Sequence, residues 1–435
     1  MAERLDRPAE PSSRPPIPPV SPSITIATPL EPANQSLGAV RQTFRALRHR
    51  NFRLFLFGQI VSLIGTWMQN VAQSWLVYRI SHSELLLGAT WFCAQIPVFA
   101  LGSIGGLVSD RYSRHRIVIA TQVLSMLQAF TLGILTLWGH VQVPQVLVLA
   151  VVLGVVNAFD MPARQSLIVE LAGKDDLLNA ISLNSTIFNG ARIAGPAVAG
   201  VLVAALGEGA CFMLNGVSFL AVIAALLAMH VPARTQRLTE SSWSHLLDGF
   251  RYAWNHSLVR SILMLMAVTT VAGMPAVVLM PFFADDIFHR GSQGLGFLMG
   301  AMGIGAVVGT LFLAYRANPS GLYRVIGSSA VLTGAAFILF SVSPWFYLSL
   351  IVMPVIGFSV MRQNTAANTL LQTLIPDRYR GRIMALYAMT VVGLGPFGSL
   401  AAGAVAHAVG ARWTVFAGGV LTTVAALVFQ SRAND

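Results

Sequence analysis

The sequence predicts an all-α membrane protein of about twelve transmembrane helices in two pseudo-symmetric six-helix bundles, and three observations carry that prediction. The first is composition: 55% of the 435 residues are hydrophobic and 10% are charged, with a mean hydropathy of +0.67. A water-soluble chain uses about 25% charged residues, so most of this surface must face lipid or other apolar groups. The second is length. Setting aside a polar amino-terminal tail of roughly 50 residues leaves room for around twelve spans of about 20 to 25 residues and excludes a soluble enzyme with a single anchor. The third is an internal repeat: Ala163–Leu171 (ARQSLIVEL) is echoed by Ala366–Leu374 (AANTLLQTL), and Gly195-Pro196 by Gly395-Pro396, both at offsets close to 200 residues.

Residues 1–50 hold runs such as RPPIPPVSPS, without the apolar core of a signal peptide, and predict a disordered cytoplasmic tail. Arg41, Arg45, Arg48, Arg50 and Arg53 then lead into the first span, where they can meet anionic lipid headgroups. Apolar segments follow near 52–79, 84–108, 116–139, 144–162, 178–205 and 210–231, and resume near 259–283, 293–315, 323–343, 345–366, 382–408 and 411–430. Their long unbroken runs lack the period-2 alternation of a barrel, so helices satisfy the backbone in lipid. The expected organisation is an amino-terminal bundle over 51–231, a cytoplasmic linker over 232–257 and a carboxyl-terminal bundle over 258–435. Within the linker, Leu246, Leu247, Phe250 and Trp254 recur at helical spacing, which predicts an amphipathic helix at the inner interface.

The formal charge is +11, and Lys174 is the only lysine. The arginines sit between apolar spans rather than on one polar face, which points to the inner leaflet and away from nucleic acid. With a cytoplasmic amino terminus the outer loops hold only Arg79, Arg290 and Arg412, whereas Arg111, Arg114, Arg116, Lys174, Arg234, Arg237, Arg251, Arg260, Arg316, Arg324, Arg378, Arg380 and Arg382 collect inside. The positive-inside rule therefore places both termini in the cytoplasm, in the inner membrane of a cell that has one. Cys93 and Cys211 both fall in apolar segments as small buried hydrophobes, so neither disulfide nor zinc is expected. The sequence contains no G-x4-GK[ST] phosphate loop, no G-x-S-x-G elbow and no zinc-type spacing. An enzyme is not expected, no cofactor is called for, and energy must come from an ion gradient or the substrate's own gradient.

Between the second and third spans runs Gly105-Gly106-Leu107-Val108-Ser109-Asp110-Arg111-Tyr112-Ser113-Arg114-His115-Arg116. Gly102, Gly105 and Gly106 permit close helix approach, and Asp110 can face the positive amino-terminal end of a neighbouring helix. This loop resembles the conserved loop of the major facilitator superfamily, with Ser113 where that family has Gly and His115 replacing one of the basic pair. The resemblance implies that Asp110 meets span eleven, near Arg382 to Ala385, as a conformational latch formed by Gly106, Asp110, Arg111, Arg114 and Arg116. Span five carries Gly190, Gly195, Pro196 and Gly200, similar to the glycine-proline motif of superfamily exporters. Asn157–Leu171 (NAFDMPARQSLIVEL), Gly65–Ile80 (GTWMQNVAQSWLVYRI) and Leu374–Ala385 (LIPDRYRGRIMA) resemble the exporter branch that includes enterobactin exporters and macrolide efflux proteins, and the likeness extends from about residue 50 to 430.

Several polar residues lie inside the spans. Gln59, Ser62, Thr66, Gln69, Asn70 and Gln73 share one face of span one, where they line either a cavity or a polar helix seam. Asn157, Asp160 and Arg164 form another stripe, in which Asp160 and Arg164 at i, i+4 can pair. Arg192 and Arg362 are the deepest charges, each costing about 2.5 to 3.5 kcal/mol on the insertion scale unless matched. Both are candidates for contact with the substrate or for structural pairing. Trp67, Trp75, Phe188 and Tyr387 are candidate apolar walls. Asp160 is the candidate proton carrier or an ion-pair member, with His407 a weaker alternative. These features together predict a monomeric secondary transporter that exports a small amphipathic molecule, with proton antiport as the energy source. The rival reading is a non-transporting scaffold that recruits partners through its tail and central helix.

Overall fold

The computed structural model describes residues 45–173, 175–229, 250–314 and 321–431. The proline-rich part of the tail, Lys174 and most of the expected linker helix lie outside these residues. Among the described residues there are no strands, and eleven helices are long and apolar enough to cross a membrane. They are α1 (Arg50–Ser81), α2 (Glu84–Arg111), α3 (Arg114–Leu137), α4 (Val143–Ala172), α5 (Leu177–Leu227), α6 (Ser257–Val278), α7 (Gly291–Ala314), α8 (Leu322–Val342), α9 (Phe346–Leu374), the pair α10 (Asp377–Ala388) and α11 (Gly395–Val409) acting as one span, and α12 (Ala411–Ser431).

Eleven helices give twelve crossings because α5 is 51 residues long, roughly 76 Å at 1.5 Å per residue, about twice what a bilayer needs. It is broken at Gly207, whose φ of 83° and ψ of 169° are non-helical. Only glycine adopts that conformation without a Cβ penalty, so the break falls there and the two arms run in opposite directions. Other ends follow local chemistry. The Ser83 side chain caps α2 by accepting from the Leu86 amide at 3.4 Å, and Gln142 and Gln145 form a reciprocal capping box at α4.

Within the first half α1 packs on α5, α2 on α4, and α3 on α4 and α5; in the second, α6 packs on α12, α7 on α9, and α8 on α9 and α12. The equivalence is that of two duplicated bundles. Across the halves, α2 packs on α11 and α5 on α7, the same contact seen from either side of the pseudo-twofold axis. Both seams depend on glycine pairs. A Cβ on Gly200 would lie 2.8 Å from the Gly296 Cα, and one on Gly88 would lie 3.0 Å from the Gly403 Cα. Small residues let helices approach closely where lipid supplies no hydrophobic drive for association.

These two glycine pairs lie toward one end, opposite the arginine-rich loops. Tyr78, 1% exposed, closes the same end: its hydroxyl lies 2.8 Å from Asp285 Oδ2 and 2.9 Å from Asp286 Oδ1, on a π-helical turn (Phe283–Ile287) of the other half. Trp138, Trp345, Tyr347 and Trp413 are exposed around that end, as a membrane-interface belt requires. At the arginine-rich end Arg114 bonds Glu170 at 2.6 Å and Arg380 bonds Asp377 at 2.6 Å, each inside one half. Along the arm of α5 nearest that end, Ser182, Ser185 and Thr186 are exposed. The halves therefore meet at one end and part toward the other.

Asp176, 2% exposed, precedes α5 and gathers Arg45 (3.0 Å), Arg48 (2.8 Å) and His49 (2.8 Å) under the first half. Burial alone would raise its carboxyl pKa, but the His49 hydrogen bond and the Arg48 and Arg45 charges outweigh it and hold the group below the ordinary carboxylate range. Residues 250–255 are helical and are the described part of the expected linker helix, with Phe250 and Trp254 exposed and stacked at 5.9 Å.

Candidate functional site

A cavity of about 270 Å³ opens inside the first half, lined by α1, α2, α3, α4 and both arms of α5. The α1 stripe supplies Ser62, Thr66, Gln69, Asn70 and Gln73, and α4 supplies Asn157, Asp160 and Arg164. Trp67 and Phe188 meet edge-on at 5.8 Å and form the apolar wall. Trp75 packs instead on Tyr78, and Tyr387 turns its hydroxyl to the Asn364 carbonyl at 2.8 Å; neither lines the cavity.

At Gln69 the cavity and a polar helix seam coincide. Gln69, 2% exposed, donates to Gln128 Oε1 at 2.9 Å and accepts from Asn215 Nδ2 at 2.7 Å, so its amide joins α1 to α3 and α5 while bordering the open space. Such a buried amide chain is rigid because each member satisfies the next. Gln59 stands off the lining; its Oε1 accepts from Arg164 Nη1 at 3.2 Å, while its Nε2 is buried with no described partner.

Asp160 is 2% exposed and collects three donors: Arg164 at 2.5 Å, Thr121 Oγ1 at 2.7 Å and Gln122 Nε2 at 2.9 Å. The i, i+4 spacing on α4 brings Arg164 to it, and α3 contributes the other two. It is the one carboxylate among the residues that line the cavity. Gln122, Gln128 and Asn215 were not singled out from the sequence, although an amide inside an apolar run is the same signal that marked Gln69.

The other expected residues divide. Asp110 is bonded to Arg114 at 3.4 Å, its side chain 57% exposed, and that described partner belongs to its own half rather than to α10. The halves are parted at that end, which puts the expected neighbour out of register with it. Gly105 does make the close helix approach expected of it, against the Ala158 backbone of α4, but a Cβ on Gly102 or Gly106 would meet nothing within 4 Å. In the glycine-proline stretch Gly195 seats Trp67 of α1, Gly200 and the Pro196 carbonyl seat Gly296 of α7, and Gly190 borders open space. Arg362 does not line the cavity. Its guanidinium bonds Ser329 Oγ at 2.8 Å and Ser328 Oγ at 2.7 Å on α8 and lies over the Phe358 ring. Arg192 does not line the cavity either; its guanidinium contacts Met361 Sδ of the other half at 4.0 Å. His407 lies 3.9 Å from Glu84, between the halves at their closed end.

A family model described as transmembrane secretion effector matches residues 41–433. The chain belongs to that family, within the major facilitator superfamily. The staphyloferrin A transporter of Staphylococcus aureus is 24% identical over 383 residues, 87% of this chain and 95% of that protein. The multidrug efflux pump Tap of Mycolicibacterium fortuitum is 27% identical over 84% of this chain and 91% of that protein. The enterobactin exporter EntS of Shigella boydii is 25% identical over 79% of this chain and 83% of that protein. Among solved structures, a bacterial homologue of the iron transporter ferroportin in its inward-facing state aligns with a TM-score of 0.67 at 17% identity, over 88% of this chain and 98% of that one. A bacterial homologue of the lysosomal transporter Spinster, also inward-facing, aligns with a TM-score of 0.65 at 15% identity, over 88% of this chain and 96% of that one; at such identities the likeness shows the fold alone. As a transmembrane secretion effector, this protein is a multi-pass transporter of small molecules and not an enzyme.

Proposed function

We propose that this transporter exports a small amphipathic molecule, of the siderophore, macrolide or drug-like kind, across the cytoplasmic membrane by alternating access coupled to proton antiport. The observation that carries the reading is the polar cavity inside a molecule closed at one end and parted at the other. Both termini and the arginine-rich loops face the cytoplasm and its anionic lipids, and the unit that works is the monomer. Cargo enters from the cytoplasmic side, where Thr66, Gln69, Asn70 and Gln73 offer hydrogen bonds and Trp67 and Phe188 offer apolar walls. Gln59 acts behind them by holding Arg164, and Arg192 and Arg362, which stand outside the lining in this state, join the polar centre from α5 and α9 as the halves move.

Export then requires the far end to open. The Gly200–Gly296 and Gly88–Gly403 seams must separate, with Gly190, Gly195 and Pro196 shaping the arm of α5 that moves. The cytoplasmic end must close, and the Gly106, Asp110, Arg111, Arg114, Arg116 loop would then dock Asp110 against α10 near Arg382 to Ala385, toward the positive end of that helix. Asp160 is assigned the proton exchange because it lines the cavity; protonating it would release Arg164 and rearrange the Thr121 and Gln122 contacts in step with access.

The test is uptake into inside-out vesicles with an imposed pH gradient, using a panel of iron-free siderophores and macrolides. An acid-inside gradient should drive accumulation. Equal uptake with and without the gradient removes the antiport, and absence of uptake for the whole panel removes the exporter reading.

A further inference from the structure

Arg192 lies 15 residues from each end of its arm of α5, between Leu177 and Gly207, which places it roughly 22 Å from either end at 1.5 Å per residue. A side chain at that depth cannot snorkel to an interface and needs a partner or water at its own level. Other arginines of this half have carboxylates: Arg79 has Glu208 at 2.6 Å, Arg114 has Glu170 at 2.6 Å and Arg164 has Asp160 at 2.5 Å. The described contact of Arg192 is the Met361 thioether at 4.0 Å, a weak acceptor, and no described carboxylate lies within ion-pair distance of it.

Its surroundings explain why no described residue fills that role. The face of α7 beside this arm is Gly296, Gly300 and Gly303, and a Cβ on Gly303 would lie 3.1 Å from the Arg192 carbonyl. A helix face packed backbone to backbone has no side chain to offer. Asp160, the acid of the cavity, is already held by Arg164, Thr121 and Gln122. One turn before Arg192 on the same face stands Phe188, whose ring lines the cavity with Trp67. Arg192 thus stands one turn beyond the apolar wall of the cavity, outside the lining and toward the other half, with no described carboxylate as partner.

We infer that Arg192 is the anchor for an anionic group of the cargo, which is therefore a carboxylate- or phenolate-bearing amphipath whose apolar part lies on Phe188 and Trp67. This rests on the exporter reading and narrows it. A guanidinium fork matches a planar carboxylate in two parallel hydrogen bonds. Met361, flexible and polarizable, can move aside when the anion arrives.

Two dyes on one xanthene skeleton test the inference: fluorescein, an anion, and rhodamine 123, a cation. Their binding to purified full-length protein in phosphatidylcholine nanodiscs is read by fluorescence anisotropy. Wild type should bind fluorescein more tightly than rhodamine 123. Arg192→Gln should weaken fluorescein about tenfold or more, the scale of one lost charge-assisted pair, and leave rhodamine 123 unchanged. Arg192→Lys, which keeps the charge and loses the fork, should fall between and shows that the site is otherwise intact. Absence of saturable fluorescein binding, or binding that survives Arg192→Gln, overturns the inference. So does competition by phosphatidylglycerol added to the nanodiscs, which would assign the anion to lipid. Transport is measured separately in vesicles: binding that depends on Arg192 without flux sinks the exporter reading and leaves the anion site standing.

Discussion

Replacing Tyr78 by Phe removes one oxygen from the closed end and should shift the molecule toward the state open there. The ring contacts survive the change, because Phe282 (4.9 Å), Trp75 (5.3 Å) and His82 (5.0 Å) pack on the aromatic face and edge rather than on the hydroxyl. The hydroxyl has one proton, so it can fully donate to one of Asp285 and Asp286 at a time. A hydrogen bond to a charged group contributes about 1.5 to 3 kcal/mol net. When the halves part at this end, water replaces the bond, so that free energy belongs to the closed state alone. Its loss multiplies the open-to-closed ratio roughly 10- to 150-fold; a population of about 1% would rise to between roughly 10% and 60%. Spin labels replacing the exposed Trp138 and Trp413, one in each half, report the separation by pulsed electron resonance. A longer-distance population in Tyr78→Phe is the expected result. An unchanged distance distribution in a variant that folds normally would refute the assignment of Tyr78 as a latch.

Gly200→Val should hold the same end apart, since its side chain would collide with the Gly296 backbone; overpacking of this kind costs about 1 to 3 kcal/mol, and the same label pair should lengthen while vesicle uptake falls. Arg164→Ala should lower stability by about 3 to 5 kcal/mol because it leaves Asp160 buried without its cation, whereas adding Asp160→Asn should recover much of the loss in thermal melting of the purified protein. The Asp176 cluster has a definite pH sign. Its carboxyl is depressed in the folded protein, so its contribution is full above the unfolded carboxylate value of about 3.9 and is lost as pH falls below it. Hydrogen exchange at the Ala46 amide, which donates to Asn179 at 2.8 Å, should therefore speed up beyond its intrinsic pH dependence only under acid, and Asp176→Asn should abolish that extra dependence.

The amino-acid sequence by itself determined the membrane class, the number of crossings, the duplicated halves and the polar stripe of α1. Each of these follows from composition or from a period along one chain, and a period of 3.6 residues places Ser62, Thr66, Gln69 and Gln73 on one face wherever the helix is put. The i, i+4 pairing of Asp160 with Arg164 was legible for the same reason. What only the tertiary structure decided is which residues meet across helices. Gln128 and Asn215 complete the Gln69 chain from sequence distances of 59 and 146 residues, and Tyr78 reaches Asp285 from 207 residues away. No local pattern encodes such contacts, because helix packing in lipid is set by shape and by buried polar partners rather than by hydropathy. The same limit applies to the Asp110 loop: its residues are plain in the sequence, but whether Asp110 faces Arg114 or α10 depends on which end of the molecule is open, a property of the whole assembly of helices.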